Sequence, residues 1–448
     1  MKKILTKKDN LTQNEGVILN GPLNYIELCN SKTNQNMWLF MDSHQTIVKQ
    51  RKCDDYEAKD IDKFLYKIMT DANTTETLDF FLEINPTDVR TPESSYKNEK
   101  YILEVRKMFR KIYREQEKTH KYNVRLHYID VRDYAYYDEI IKITTSIIDN
   151  VEQYKLNDIK WIIGEFEYIT YRLEHINRII ENIISGKKMF DTSNFDFVNI
   201  GPKTKQQRNI KITSKQSNQE SKSNQESNLG LNPNTNHDIG MIKLLLKILD
   251  GYNDKTNKKN IVEYFNENYY EVSKELILYI ENIISNLKDI YSLIDYQYNN
   301  DQLNIEKFVI GKQKKIIEYS AYYGIDETTY TDLTRMFYDQ LIGLHIILLK
   351  LGSVIMDCFF LRRIIEKEQY VKNSIVYTGG LHTIAYVWFL VKKYNFEVKS
   401  WYYLNTEHLN KSDVVKSVND KINSSKNYSE LFELFFPKTF NQCVKISK

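Results

Sequence analysis

"SIVYTGGLHTIAYVWFL", residues 374–390, sets the fold class. Residues 374–378 form a short β-rich run. Two glycines and His382 follow, and then an apolar helical run. A strand that turns directly into a helix is the repeating unit of an α/β sheet. Glycine lacks a Cβ, so such a turn lets a ligand or another side chain come close to the backbone. The chain has only 14 glycines. Two of them directly before His382 read as a built turn at a strand end, where open α/β sheets bind ligands.

The same pattern recurs nearer the N-terminus. "LNYIELCN" (23–30) and "NMWLFMDSH" (36–44) read as two strands around a polar turn. Residues 55–70 place Ala58, Ile61, Phe64, Leu65 and Ile68 at helical spacing. "TLDFFLEINP" (77–86) reads as a buried strand stopped by Pro86. A basic amphipathic helix over 97–117 and the strand "NVRLHYIDVRD" (123–133) follow. "FEVKSWYYL" (396–404) reads as the last strand.

Beyond residue 138 the period is helical to about residue 185, and it resumes at 239–250, 262–297 and 328–367. The polar stretch 203–238 contains the near-duplicate "SNQESKSNQES" (217–227) and reads as a disordered linker. The expected architecture is an α/β domain with a mostly parallel sheet and flanking helices, built from both chain ends (20–138 and 351–448). An all-helical insertion (139–202 and 239–350), interrupted by the linker, separates the two halves.

Of the 448 residues, 42% are hydrophobic and 27% charged, a globular composition. A net charge of +3 gives no case for nucleic acid or a membrane surface. The 34 tyrosines, with abundant Lys, Asn and Ile, suit an AT-rich microbe or a large DNA virus. Cys29, Cys53, Cys358 and Cys443 are widely spaced and predict a reducing, cytoplasmic setting (host cytoplasm or virion) without disulfides. "MKKILTKKDNLTQNEG" has no apolar core and does not read as a signal peptide. "LIGLHIILLKLGSVIMDCFFL" (341–361) carries His345, Lys350 and Asp357, and reads as a core helix rather than a membrane span.

Four strand ends carry polar groups. They are Asp42 and His44 in "MDSH", Glu83 in "FFLE", Asp130, Arg132 and Asp133 in "YIDVRD", and Gly379, Gly380 and His382 in "YTGGLH". In a parallel sheet such ends converge on one edge. Two imidazoles and a carboxylate are a ligand set for a catalytic divalent metal, so His44, Glu83 and His382 are expected to hold Mn²⁺, Zn²⁺ or Co²⁺. The ion would lower the pKa of a bound water, with Glu83 or Asp42 as base. His127 and His345 read as satisfied core histidines. The helix at 96–118 reads as a solvated basic face more readily than as a nucleic-acid surface.

The order of these motifs resembles the TraB/TIKI–ChaN–erythromycin-esterase-like superfamily. "MDSH" looks like its first histidine motif, with Met41 where the family has glycine. Glu83 looks like its strand-end glutamate, and Asp130 and Arg132 like its aspartate–arginine motif. "MDCFFLRRI" (356–364) looks like its arginine helix through Arg362 or Arg363, and "GGLH" (379–382) like its second histidine motif. The likeness covers residues 23–135 and 350–405. It implies an α/β sheet with its site at the strand ends. Its TIKI branch holds metal-dependent peptidases, its esterases open a lactone, and its ChaN-like members bind haem. Related proteins occur in large DNA viruses.

The resulting expectation is a metal-dependent hydrolase of a peptide or small-molecule substrate. Arg132 and Arg362 would steady a carbonyl or carboxylate, and Asp130, Gly379 and Gly380 would contact substrate. The helical block offers a lid or a homo-oligomer surface. The alternative, favoured by Met41 and the tyrosine-rich block, is a non-catalytic binding or virion-structural protein on the same scaffold.

Overall fold

The computed structural model describes residues 16–44, 53, 57–71, 76–90, 100–119, 121–150, 156–186, 236–301, 327–367, 370–407, 409–410, 412–438 and 443–446. The chain opens with β1 (Val17–Asn20), β2 (Asn24–Asn30), β3 (Gln35–Asp42) and β4 (Lys59–Asp60). Then come α1 (Ile61–Thr70), β5 (Leu78–Leu82), α2 (Pro86–Arg90), α3 (Tyr101–Thr119) and β6 (Val124–Tyr128). A 3-10 turn (Arg132–Ala135) leads into α4 (Tyr137–Asn150), α5 (Leu156–Ile184), α6 (Asn236–Leu249) and α7 (Lys255–Phe265). One π turn (Asn266–Tyr270) joins α7 to α8 (Glu271–Asp301), and α9 (Glu327–Glu366) follows. The chain then returns to β7 (Asn373–Gly379), α10 (Gly380–Tyr394), β8 (Glu397–Trp401), α11 (Val414–Ser424), α12 (Phe432–Phe435) and β9 (Cys443–Ile446).

The main sheet has the order β6-β5-β7-β3-β2-β8. β6, β5, β7 and β3 are mutually parallel; β2 is antiparallel to both β3 and β8. The mostly parallel sheet built from both chain ends is therefore present, with β7 from the C-terminal half seated between β3 and β5. Its strands bury both faces, so they read as continuous apolar runs. Along β3, Met37, Leu39 and Met41 point to one face, and Trp38 and Phe40 to the other.

The second of these faces packs on α1 and α3, through Phe64, Leu65 and Ile68 and through Val105, Phe109 and Ile112. The first packs on α9 and α10 and is continuous with the helical block, where Ile162 and Phe166 of α5 and Leu348 of α9 share its core. Phe360 of α9 meets Phe81 of β5 edge to face, with ring centroids 5.2 Å apart. Burying one such ring contributes about 1.5–3 kcal/mol. Asp339–Glu366 is long and apolar enough to cross a membrane, yet 67% of its apolar window is buried inside the fold.

Several expectations change. Pro86 opens α2 at a position that needs no N–H, four residues after β5 has ended. A second sheet, β4-β1-β9, was not foreseen; it pairs the two ends of the chain. There Asn20 lies opposite Cys443, and its side chain accepts the Cys53 N–H at 3.0 Å. That brings Cys53 and Cys443 together in a disulfide, while Cys29 and Cys358 remain thiols. The reading of four unpaired cysteines is thus corrected, and with it the cysteine argument for a reducing compartment. The linker expected at 203–238 lies, up to residue 235, outside the described residues.

Candidate active site

Neighbouring strands stand ~4.8 Å apart, so the residues that leave β3 and β5 face each other across the end of β7. His44 comes two residues after β3, and Glu83 directly after β5. Nε2 of His44 meets Oε2 of Glu83 at 3.1 Å. This link passes over Gly379. A Cβ there would lie 2.9 Å from His44 Nε2 and 3.6 Å from Glu83 Oε2. The φ of Gly379 is −61°, open to any residue, so space rather than backbone conformation calls for glycine. Its N–H donates to Glu83 Oε2 at 3.0 Å, and the carboxylate thereby occupies the positive end of α10.

His44 has a φ of +54°, an uncommon region for a residue with a side chain. Asp42 holds it there. One carboxylate oxygen lies 2.8 Å from the His44 backbone N and 2.8 Å from its Nδ1. The other oxygen accepts the Tyr377 hydroxyl at 3.0 Å. The second oxygen of Glu83 lies 3.4 Å from Nη2 of Arg132, whose guanidinium also grips Asp130 through two bonds of 2.8 Å. Arg106 of α3 donates to the Glu83 carbonyl at 2.7 Å. Part of the basic face of α3 is therefore spent on fixing the loop that carries Glu83.

His382 lies in the first turn of α10 and is 5% exposed. Its Nδ1 is 2.6 Å from Asp357 of α9, whose other oxygen accepts the Tyr264 hydroxyl at 3.1 Å. It lies within electrostatic reach of Glu83 and Arg132.

Burial opposes charge on His44, but the Glu83 carboxylate, helped by Asp42, outweighs it and raises the pKa from 6.5 to about 10. Burial alone would raise Glu83. His44, then His382 and Arg132, instead hold it well below its ordinary 4.5. His382 is also raised, because Asp357 and then Glu83 outweigh its burial. The resting centre is thus an ionised glutamate between the His44 imidazolium and the Arg132 guanidinium.

The structure brings together Asp42, His44, Glu83, Asp130, Arg132 and Gly379, with His382 beside them. Gly380 serves packing: a Cβ there would meet Phe436 at 2.7 Å and Met41 at 3.3 Å. Met41 thus packs toward α10. Arg362 does not join the site. Five residues on from Asp357, it lies about 140° around α9 and donates through Nε and Nη2 to the Gly251 carbonyl just past α6, at 2.9 and 2.7 Å. Arg363 donates to the Tyr128 carbonyl and stacks on Phe359. His127 binds Asp79, and His345 lies 3.1 Å from the Thr144 hydroxyl, in keeping with core roles.

Asp357, Tyr264, Tyr377 and Arg106 join the site without belonging to any of the strand-end motifs. Asp357 did carry a signal, since a carboxylate in an apolar run needs a buried partner. A polar cleft of about 520 Å³ adjoins Arg132 and Asp130; Asn85, Thr87, Asp88, Arg106, Asp133 and Lys142 also line it. Asn85 closes one wall by donating to Asp133.

Both imidazoles turn Nδ1 to a carboxylate, as metal-bound histidines do. But His44 Nε2 and Glu83 Oε2 bond to each other. Among the described residues, no group of three or more His, Cys, Asp or Glu side chains could hold a metal ion. The three-ligand centre expected from His44, Glu83 and His382 is not formed in this arrangement.

No solved structure matches the chain. "Uncharacterized protein R161" of Acanthamoeba polyphaga mimivirus is 28% identical, over 96% of each chain. "Uncharacterized protein R706" of the same virus is 26% identical, over 95% of this chain and 94% of its own. "Uncharacterized protein R160" is 27% identical, over 85% and 86%. With residues 17–448 matched, both halves of the sheet and the insertion between them included, the chain belongs to the family of unknown function DUF5847.

Proposed function

We propose that the chain is a hydrolase of a peptide or ester bond, with substrate in the cleft beside Arg132 and the proton work done by His44 and Glu83. The observation that carries this reading is the His44–Glu83 ion pair, fixed by Asp42, Gly379 and Arg132 where three parallel strands end. Perturbed, partner-specific titration beside a strand-end cleft supports a reactive site, and Arg132, which lines the cleft, connects it to Glu83. His44 is protonated at neutral pH and donates its proton to the leaving nitrogen or oxygen. Glu83 takes the proton of the attacking water and returns it to His44 once product leaves. A carboxylate held this low is a weak base, so the step relies on the placement of water more than on basicity. Arg132 supplies positive charge to the oxygen of the attacked carbonyl.

The strand-end positions of "MDSH", Glu83, Asp130–Arg132 and "GGLH" support the likeness to the TraB/TIKI–ChaN–erythromycin-esterase-like superfamily. The mimivirus relatives suit its large-DNA-virus members. A second reading, a binding or virion-structural protein, is favoured by the closure of the ion-pair network: Asp42, His44, Glu83, Asp130 and Arg132 are all paired. Peptide and ester libraries, each with and without chelator, separate the readings. Cleavage that survives chelator and is lost in both His44→Ala and Glu83→Gln supports the hydrolase. Cleavage abolished by chelator and restored by Mn²⁺, Zn²⁺ or Co²⁺ would return the metal to the mechanism. An inert wild-type protein favours the binding role.

A further inference from the structure

The helical insertion meets the strand ends beside Arg132 and again, through Tyr264, at Asp357 of α9. Asp357 of α9 is 3% exposed, and its two oxygens face His382 Nδ1 and the Tyr264 hydroxyl. Tyr264 belongs to α7, directly before the π turn Asn266–Tyr270. Tyr264 and Tyr269 are five residues apart, which in an α-helix would point them about 140° apart. The i→i+5 turn brings both inward, Tyr264 to Asp357 and Tyr269 to Tyr137 at 2.9 Å. On α10, Tyr386 stands one turn beyond His382, with ring centroids 6.2 Å apart. Its buried hydroxyl lies within electrostatic reach of Asp357, on the same side as His382.

The site is therefore flanked by two chains of the same composition. Tyr377–Asp42–His44 comes from β3, β7 and the β3 exit. Tyr264–Asp357–His382 comes from α7 of the insertion, the C-terminal part of α9 and α10.

We infer that Asp357, held by Tyr264, is a positioning residue: it fixes the ring orientation and the protonated nitrogen of His382, leaving Nε2 to substrate on the Glu83 side. The insertion thus completes the site rather than merely covering it. A carboxylate bonded to one imidazole nitrogen decides what the other presents. This inference rests on the hydrolase reading, but the two fail separately.

The test is the imidazole nitrogen spectrum of the full chain with ¹⁵N-histidine. His382 is one of eight histidines, and its signals are assigned by their loss in His382→Gln. In the wild type, Nδ1 gives a protonated, non-averaged signal. In Asp357→Asn that signal shifts to the averaged position of an unrestrained imidazole, while the His44 signals stay in place. An unmoved His382 signal in a folded Asp357→Asn protein overturns the role. Should Asp357→Asn fail to fold, Tyr264→Phe decides. It removes one hydroxyl and keeps the charge; a displaced His382 signal supports the role and an unchanged one overturns it. On a cleaved substrate, Tyr264→Phe also lowers kcat by up to about 10²-fold with KM held. A wild type that cleaves nothing while the His382 signal moves as stated would defeat the hydrolase reading alone.

Discussion

Replacing Glu83 with glutamine tests the site most directly. Glu83 is 4% exposed and faces donors on every side: His44 Nε2, the Gly379 N–H and Arg132 Nη2. Glutamine keeps the shape but offers a single acceptor oxygen. With that oxygen toward His44 and Gly379, its NH₂ confronts the guanidinium, donor against donor; flipped, it confronts two donors. Each buried donor left without an acceptor costs about 1–3 kcal/mol. Removing one partner of a fully buried ion pair costs about 3–5 kcal/mol in all, and the 37% exposure of the His44 side chain sets the expected cost below that range.

The loss must also depend on pH. Glu83 has a folded pKa below 4.5, so its contribution is present above 4.5 and fades as pH falls through the folded value. His44 is raised from 6.5 to about 10, so its contribution is full below 6.5 and fades as pH rises through about 10. The penalty of Glu83→Gln is therefore largest between pH 4.5 and 6.5 and shrinks on both sides. Urea unfolding of wild type and variant, inside that window, below it and above pH 10, gives the profile. A penalty flat across the three would mean that Glu83 acts through shape alone, and the ion-pair account of the site would be wrong.

Gly379→Ala should keep the fold, since φ is ordinary, yet push His44 off Glu83 and lower the His44 pKa toward 6.5; an unmoved titration by NMR would count against the close approach. Gly380→Ala should instead destabilise by about 1–3 kcal/mol through overpacking on Phe436 and Met41, leaving the His44 pKa in place. Unfolded, unreduced protein should present two thiols to a thiol reagent, those of Cys29 and Cys358; reaction at all four cysteines would refute the Cys53–Cys443 pairing. Arg362→Ala should weaken the end of α6 by about 1.5–3 kcal/mol, as loss of charged hydrogen bonds does, and leave cleavage intact. A large fall in kcat would bring Arg362 back to the site.

Much of the site was legible because each of its strand-end groups terminates an apolar run. Phe80, Phe81 and Leu82 carry Glu83, and Leu39, Phe40 and Met41 carry Asp42 and His44. Local pattern fixes where such a strand stops, and the parallel rule fixes that the ends share an edge. It does not fix strand order. That β7 inserts between β3 and β5 is what joins His44 to Glu83 and gives Gly379 its purpose, and only tertiary pairing reveals it. Arg362 and Asp357 differ by their face of the same helix. A 3.6-residue period separates the two by more than a third of a turn, but an apolar helix packed nearly all round gives no sequence cue to which side meets the site. The β1–β9 pairing and the disulfide span the whole chain; no local period encodes a contact between residues 390 apart.

The same network also bears on why the sequence keeps so much charge in its interior. Asp42, Glu83, Asp130, Asp357 and His382 are each at most 8% exposed. Ion pairs buried this way add little net stability, because desolvation offsets their attraction; well-packed apolar side chains in their place are often at least as stable. If stability were the purpose, one pair would serve as well as two Tyr–Asp–His chains around one glutamate. The two chains also arise from different parts of the sequence, one from the sheet and one through a π turn in the insertion, so a single local packing need does not produce both. What the doubled arrangement does produce is two imidazoles whose Nδ1 atoms are held by carboxylates, one bonded to Glu83 through Nε2 and the other within its electrostatic reach. That pattern argues for a reaction at the strand ends more strongly than any one of the short motifs that led there.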